Sequence, residues 1–441
     1  MDTPIRHPLS HVRAERGWSL EDLAREVRNA AAHRGLRSGT RRGRVWKWET
    51  GVEPCAESQL LLAEALGLAP DDVDVRTWPH WLPGLQAPLP LGAHHTVTAL
   101  REALKTTMKR RTLLGYTGAA LAGLAGQWAT LEPPPAAAGS RHGNAVDAEF
   151  VQWLETTGAQ LTGLATEQRQ HTATLLDAHL STVTTLITDA RYTPRIGRRL
   201  HLLAAGLSQT IAWHRFDQGE HAVAGRFWHA GLHSAHAGAD HDLGAGILSD
   251  LAYQATWTDQ PKTAADILDH ALTRTRHPTA RSLLHLRKAR AHAALREPRA
   301  CRQALARSEH ELAAAGLDPA PAWCSWMGEA DLAVDSGQCL LDLGEHPHAL
   351  HLIGEGLDVL QRPRDKTRGV FLTYQARACL QSGQIDRAAA AATEALTLAR
   401  RIGAPRCVTL VRDLAPAFAP HHTVEGVPEL MELAEKPGRP I

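Results

Sequence analysis

The stretch Ser38-Gly-Thr-Arg-Arg-Gly-Arg-Val-Trp-Lys-Trp-Glu-Thr-Gly51 decides how the front of this chain folds. No acidic residue occurs between Ala30 and Trp48, while Arg34, Arg37, Arg41, Arg42, Arg44 and Lys47 supply positive charge throughout. Thr40 is placed to cap a helix whose first turn carries the arginines, its hydroxyl accepting a bond from a free backbone N–H. Val45 and Trp48, three residues apart, share one helix face and predict a core contact. Gly51 stops the helix, because a left-handed C-terminal cap favours glycine. A short helix with a basic leading turn suits the major groove, where arginine bonds phosphate oxygens or the two acceptors of guanine. Taken alone, such a run of charge reads as a solvated helix face, so the flanking sequence has to decide.

Upstream, Trp18-Ser19-Leu20-Glu21-Asp22-Leu23 reads as a helix start, with Ser19 as cap, Asp22 answering it and Trp18 stapled against Leu23. Leu9, Val12 and Arg13 mark a shorter helix before it, ending at Gly17. Downstream, Pro54 precedes an apolar stripe of Leu60, Leu61, Ala63, Leu66 and Leu68, closed by Gly67 and Pro70. Short helices with the basic one third make a helix-turn-helix domain. Leu20-x-x-Leu23-Ala24, Val45-x-x-Trp48-Glu49-x-Gly51 and the closing Leu66-Gly67-Leu68 resemble the Cro/cI-type (XRE) helix-turn-helix family, over roughly residues 7–72. The chain departs from that pattern in the extra residues Asn29 to Gly39, so the usual tight turn is absent. By position, the resemblance implies that Arg42, Gly43, Arg44 and Lys47 contact bases and backbone of double-stranded DNA. Arg37, Thr40 and Arg41 border them and complete the expected DNA-binding set. Glu49 matches the family's structural acidic residue.

The chain's 441 residues leave room for two or three domains with a stable core. Net charge is only +1, yet residues 1–55 hold eleven Lys/Arg against seven Asp/Glu, so positive charge is concentrated at the front. Cys55, Cys301, Cys324, Cys339, Cys379 and Cys407 form no C-x-x-C pair and read as reduced, buried thiols of a cytoplasmic protein. No phosphate loop, H-E-x-x-H, nucleophile elbow or Rossmann glycine set occurs, so neither an enzyme nor a cofactor is expected. His229, His233 and His236, with His241 beyond, share a helix face. No cysteine or carboxylate joins them at ligand spacing, so they read as surface histidines and not as a metal site.

Residues 1–75 form the expected DNA-binding domain and 76–145 a connector. Its Trp78-Pro-His-Trp81-Leu-Pro-Gly cannot continue a helix, and the tryptophans are expected to dock on the first domain. Arg101, Lys105, Lys109, Arg110 and Arg111 precede Leu113–Leu131, a stretch without formal charge, and Arg110-Arg111-Thr-Leu-Leu resembles a twin-arginine export signal. Gly115, Gly118, Gly123, Gly126, Thr117 and Gln127 make it poor lipid-facing surface, so a helix packed inside the protein is expected and a membrane anchor is the minor alternative.

From Val146 onward, amphipathic helices alternate with short turns. Ala224, Ala264, Ala349 and Ala388 are each followed seven residues later by Gly231-Leu232, Ala271-Leu272, Gly356-Leu357 and Ala395-Leu396. Turn residues Gly219, Asp259, Gly344 and Gly383 stand five residues before each alanine, and Ala300 begins a degenerate copy. Small residues at these positions let two helices approach closely. The pattern resembles a tetratricopeptide (TPR-like) solenoid, so the fold class is all-α: a helix-turn-helix domain, the connector, TPR-like hairpins over 146–420 and a flexible tail over 421–441. In such a stack the first helices line a groove, which places Gln209, Ser249, His285, Asp331 and Thr373 on one ladder. Trp213, Tyr253 and Arg377 fall on the next, beside Gln338, as contacts for a peptide, small-molecule or protein effector. The whole reads as a homodimeric DNA-binding transcriptional regulator. The alternative is a TPR-like scaffold, anchored or not through 113–131, with the front domain in an accessory role.

Overall fold

A computed structural model describes residues 8–16, 18–50, 52–68, 73, 75, 78–79, 82, 88–106, 116, 118–140, 143–164, 166–316, 319–361 and 364–435. Every regular element among them is a helix, as expected. The chain divides into two units, residues 1–88 with 108–120 and residues 89–107 with 121–441, so the expected connector is shared between them. Expectations for Gly17, Gly51, Trp81, Lys109, Arg110, Arg111 and Leu113 to Gly115 lie outside the described residues.

The first unit opens with α1 (Pro8–Glu15), α2 (Leu20–His33), α3 (Arg42–Glu49) and α4 (Ala56–Ala65). The capping box of α2 is formed: Asp22 N–H donates to Ser19 Oγ at 3.1 Å, and Ser19 N–H to Asp22 Oδ2 at 2.9 Å. Leu9, Val12, Leu23, Val27, Leu62 and Leu66 are buried together with Val45 and Trp48 of α3, which seats that helix by one face. Trp78 and Leu82 join the same core. Arg13 donates to both oxygens of Glu49, at 2.6 and 3.1 Å, and so ties α1 to the end of α3. Thr40 does not cap α3. The N-cap is Arg41, without a side-chain cap bond. Thr40 is buried; its hydroxyl meets Ser38 Oγ at 2.9 Å and its carbonyl accepts from Arg28 at 2.7 Å. The longer loop is thus pinned to α2, and its threonine is consumed in the pinning.

The second unit holds α5 (Ala93–Thr106), α6 (Gly118–Thr130, from Leu121 on), α7 (Ala148–Thr162) and α8 (Thr166–Asp189). Leu124, Ala125 and Trp128 bury the inner face of α6 in protein, as expected for this stretch. Among the described residues no helix is long and apolar enough to cross a membrane. Five helix pairs follow: α9 (Pro194–Asp217) with α10 (His221–Ala237), α11 (His241–Trp257) with α12 (Pro261–Ala271), α13 (Pro278–Ala294) with α14 (Pro298–Ala313), α15 (Glu329–Leu343) with α16 (His346–Val359), and α17 (Asp365–Gln381) with α18 (Ile385–Ile402). The anticipated turn residues Gly219, Asp259, Gly344 and Gly383 adopt φ of +79°, +59°, +90° and +73°, and Arg296 makes the turn of the degenerate pair at +60°. Ala224, Ala264, Ala349 and Ala388 are fully buried. At Gly356 a Cβ would stand 2.8 Å from the Ala330 carbonyl oxygen, so only glycine permits that backbone approach. Beyond α19 (Pro405–Phe418), the residues expected as a flexible tail form α20 (Val427–Glu435), which buries Val427, Leu430 and Ala434 in the core of the last pairs.

The histidines of α10 are not on the surface. His229, His233 and His236 are buried, because α5 lies across this face of α10. The Leu89 carbonyl, just before α5, meets His229 Nε2 at 3.1 Å and His233 Nε2 at 3.0 Å. Burial pulls the pKa of His229 down to about 3 and that of His233 to about 4, and buried His285 likewise falls to about 4. All three lie below the ordinary value near 6.5, so between those limits the unfolded chain binds more protons than the folded one. Stability is therefore lost as pH falls below about 6.5, by up to about 1.4 kcal/mol per pH unit for each such histidine. Urea midpoints of the full-length protein should fall between pH 7 and pH 5. His229→Gln, whose amide can still donate to Leu89, should flatten that slope. Midpoints independent of pH in the native chain would contradict this.

Candidate nucleic-acid interface

Helix α3 is held from beneath by Val45 and Trp48, and everything else it carries turns outward except Glu49. Arg41, Arg42, Arg44 and Lys47 are exposed, and so is Arg37 in the preceding loop. Among the described residues, none of these five cations has an ion-pair partner. Four other arginines of the unit differ: Arg13 pairs with Glu49, Arg25 with Asp22, Arg28 with Glu21 and Arg34 with Glu64. The carboxylates of α2, α3 and α4 thus neutralise the arginines around α3 and leave those upon it uncompensated. Gly43 lies on the outward face, with no atom within 4 Å of where a Cβ would be, so a ligand can approach the backbone there.

Two features of this surface escaped the sequence reading. Trp46 is 56% exposed on the same helix. Its position was legible, since Val45 and Trp48 already occupy the inner face and a residue one step from Val45 must turn away. Cys55, expected to be buried, is exposed, because it lies in the loop before α4; the five other cysteines are buried as expected, and none of the six is in a disulfide. A bond with Ser58 holds its thiol pKa below the ordinary value, with a smaller contribution from the Arg44 charge.

The groove expected in the second unit is assembled differently. Asp250 is its hub, accepting from Gln209 Nε2 at 2.7 Å, Trp213 Nε1 at 3.0 Å and Arg287 Nη1 at 2.7 Å. Arg287 also donates to Ser249 Oγ at 2.8 Å and stands 5.3 Å from the Tyr253 ring. Burial pushes the Asp250 carboxyl pKa up in spite of these donors. Gln209, Trp213, Ser249 and Tyr253 are therefore brought together as expected, but around a buried ion pair that the sequence reading missed. Ser249, His285, Asp331, Gln338 and Thr373 are buried and offer no side-chain surface to a ligand. Asp331 starts α15, accepting from Gly328 N–H and from both Nη groups of Arg364. Gln338 donates to Asp342, which also pairs with Arg377, and Thr373 bonds its own helix at Val370. The array also curls back on itself: Asp217, at the end of α9, pairs with Lys366 of α17 and with Arg406 of α19, and Arg406 donates to the Tyr253 hydroxyl at 3.2 Å.

The chain thus combines a helical unit bearing an uncompensated cationic helix with a unit of paired helices. Residues 9–70 match the family described as the SP15 N-terminal domain, so the stretch from α1 through α4 is similar to that domain. No curated protein matches the chain.

Proposed function

We propose that the first unit binds double-stranded DNA through α3 as a helix-turn-helix domain, and that the chain is a sequence-selective transcriptional regulator. One observation carries this reading: Arg37, Arg41, Arg42, Arg44 and Lys47, on α3 and the loop before it, are exposed and have no carboxylate partner among the described residues, while Arg13, Arg25, Arg28 and Arg34 are paired. Unpaired arginines on a short helix are suited to phosphates and to guanine edges. One small domain buries too little surface for tight specific binding, so the active form is a homodimer on two half-sites. The helix pairs form a TPR-like array that receives an effector or the second subunit. An effector there meets Gln209, Trp213, Tyr253 and Arg377, the ladder residues that keep some surface, and competes with their bonds to Asp250, Arg406 and Asp342.

The test is selection of bound sequences from a random duplex pool with the full-length protein. A recurrent motif should be enriched, and the logarithm of affinity for it should fall linearly with the logarithm of salt concentration. Recovery of the unselected pool, with no salt-dependent binding, removes the regulator reading and leaves the scaffold.

A further inference from the structure

We propose that Trp46 reads thymine, packing its indole against the C5-methyl group in the major groove beside the base pair that Arg42 engages. This rests on the duplex-DNA reading of α3. With successive residues about 100° apart on a helix, Trp46 projects about 130° from the inward direction set by Val45 and Trp48. It is 56% exposed, and no ring, cation or hydrogen-bond partner attends it among the described residues. A large indole left in water on a helix this short and charged gains by being covered, and the exposed cations Arg42, about 40° from it around the axis, and Lys47, about 100° away, make a polyanion the matching cover.

The surroundings narrow the contact further. Helical side chains lean toward the N-terminus, so Trp46 lies over the turn that carries Arg42 and Gly43. Gly43, one turn back, has no side chain, and nothing in the protein lies within 4 Å of where one would begin. The indole is thus exposed beside open space at Gly43, through which a base edge can approach. In the major groove the apolar feature of a base edge is the thymine methyl, and apolar side chains select it. Arg42, four residues before Trp46, supplies the neighbouring polar contact.

The experiment uses the full-length protein and the motif selected from the random duplex pool, with each thymine replaced in turn by uracil, which removes only the methyl group. At one position the native protein should lose about fourfold in affinity, the effect of one buried methyl group. Trp46→Ala should bind thymine and uracil duplexes alike, while Trp46→Phe keeps part of the preference. A selected motif with no invariant thymine, or equal thymine and uracil affinities at every position, overturns the proposal and leaves DNA binding itself standing. Tighter binding to the unpaired strand than to the duplex, lost in Trp46→Ala, overturns it in favour of stacking on an unpaired base. Failure to bind any duplex instead removes the reading on which the proposal rests.

Discussion

Replacing Arg42, Arg44 and Lys47 together by alanine should abolish the proposed selective DNA binding and leave the protein folded. All three side chains are exposed and unpaired, so their removal strands no buried partner. Each bidentate arginine contact to a base discriminates by about 1–3 kcal/mol. Loss of two such contacts and a phosphate contact therefore lowers affinity for a selected duplex by on the order of a thousandfold. The single variants separate the roles. Arg42→Ala and Arg44→Ala should relax sequence preference, each at its own base pair. Lys47→Ala should weaken all duplexes alike and reduce the slope of log affinity against log salt by about 0.9. Fluorescence anisotropy with selected and random duplexes across a salt series measures both quantities. A triple variant that binds like the native protein would rule out α3 as the contact helix.

Asp250→Ala should cost the second unit about 3–5 kcal/mol, because it leaves Arg287 charged and unpaired in a nearly buried site. The loss is concentrated there because one carboxylate joins three elements: α9 through Gln209 and Trp213, its own α11, and α13 through Arg287. Burial already pushes its carboxyl pKa up, so desolvation outweighs the surrounding donors and the pair is costly to hold in place. It follows that Asp250→Leu with Arg287→Met, which removes both charges at similar volume, should recover most of the stability lost by the single variant. Urea unfolding of the full-length chain reads both. A single variant within about 1 kcal/mol of native stability, the size of an ordinary substitution, would show that the hub is not a structural keystone.

Much of the second unit was legible because its determinants are local. A residue in the left-handed region marks a helix turn wherever it falls, and Gly219, Asp259, Gly344 and Gly383 take that conformation where the spacing put them. A small residue seven positions after the buried alanine stays on its face whatever surrounds it, so the approach at Gly356 could be anticipated. The errors concern what covers a face. His229 and His233 look like surface residues until α5 lies across them, and residues 421–435 look like a tail until Val427 and Leu430 find a core. The ladder from Gln209 to Thr373 looks open until Arg287 covers Ser249, Arg364 covers Asp331 and neighbouring helices bury the rest. Nothing near Asp217 in sequence announces its pairing with Lys366 of α17.

By itself, then, the sequence determined the helical class, the turns between paired helices, the inward face of α3 and the charge concentrated around it. Each follows from residue type and short-range periodicity. Tertiary structure alone decided which polar groups are sequestered: Thr40 under its loop, the histidines beneath α5, and Asp250 among Gln209, Trp213 and Arg287. It alone also left the cations of α3 without partners among the described residues, because that depends on which carboxylates Arg13, Arg25, Arg28 and Arg34 occupy. Burial and ion pairing are set by chain segments brought together from far apart, and short-range periodicity carries no record of them.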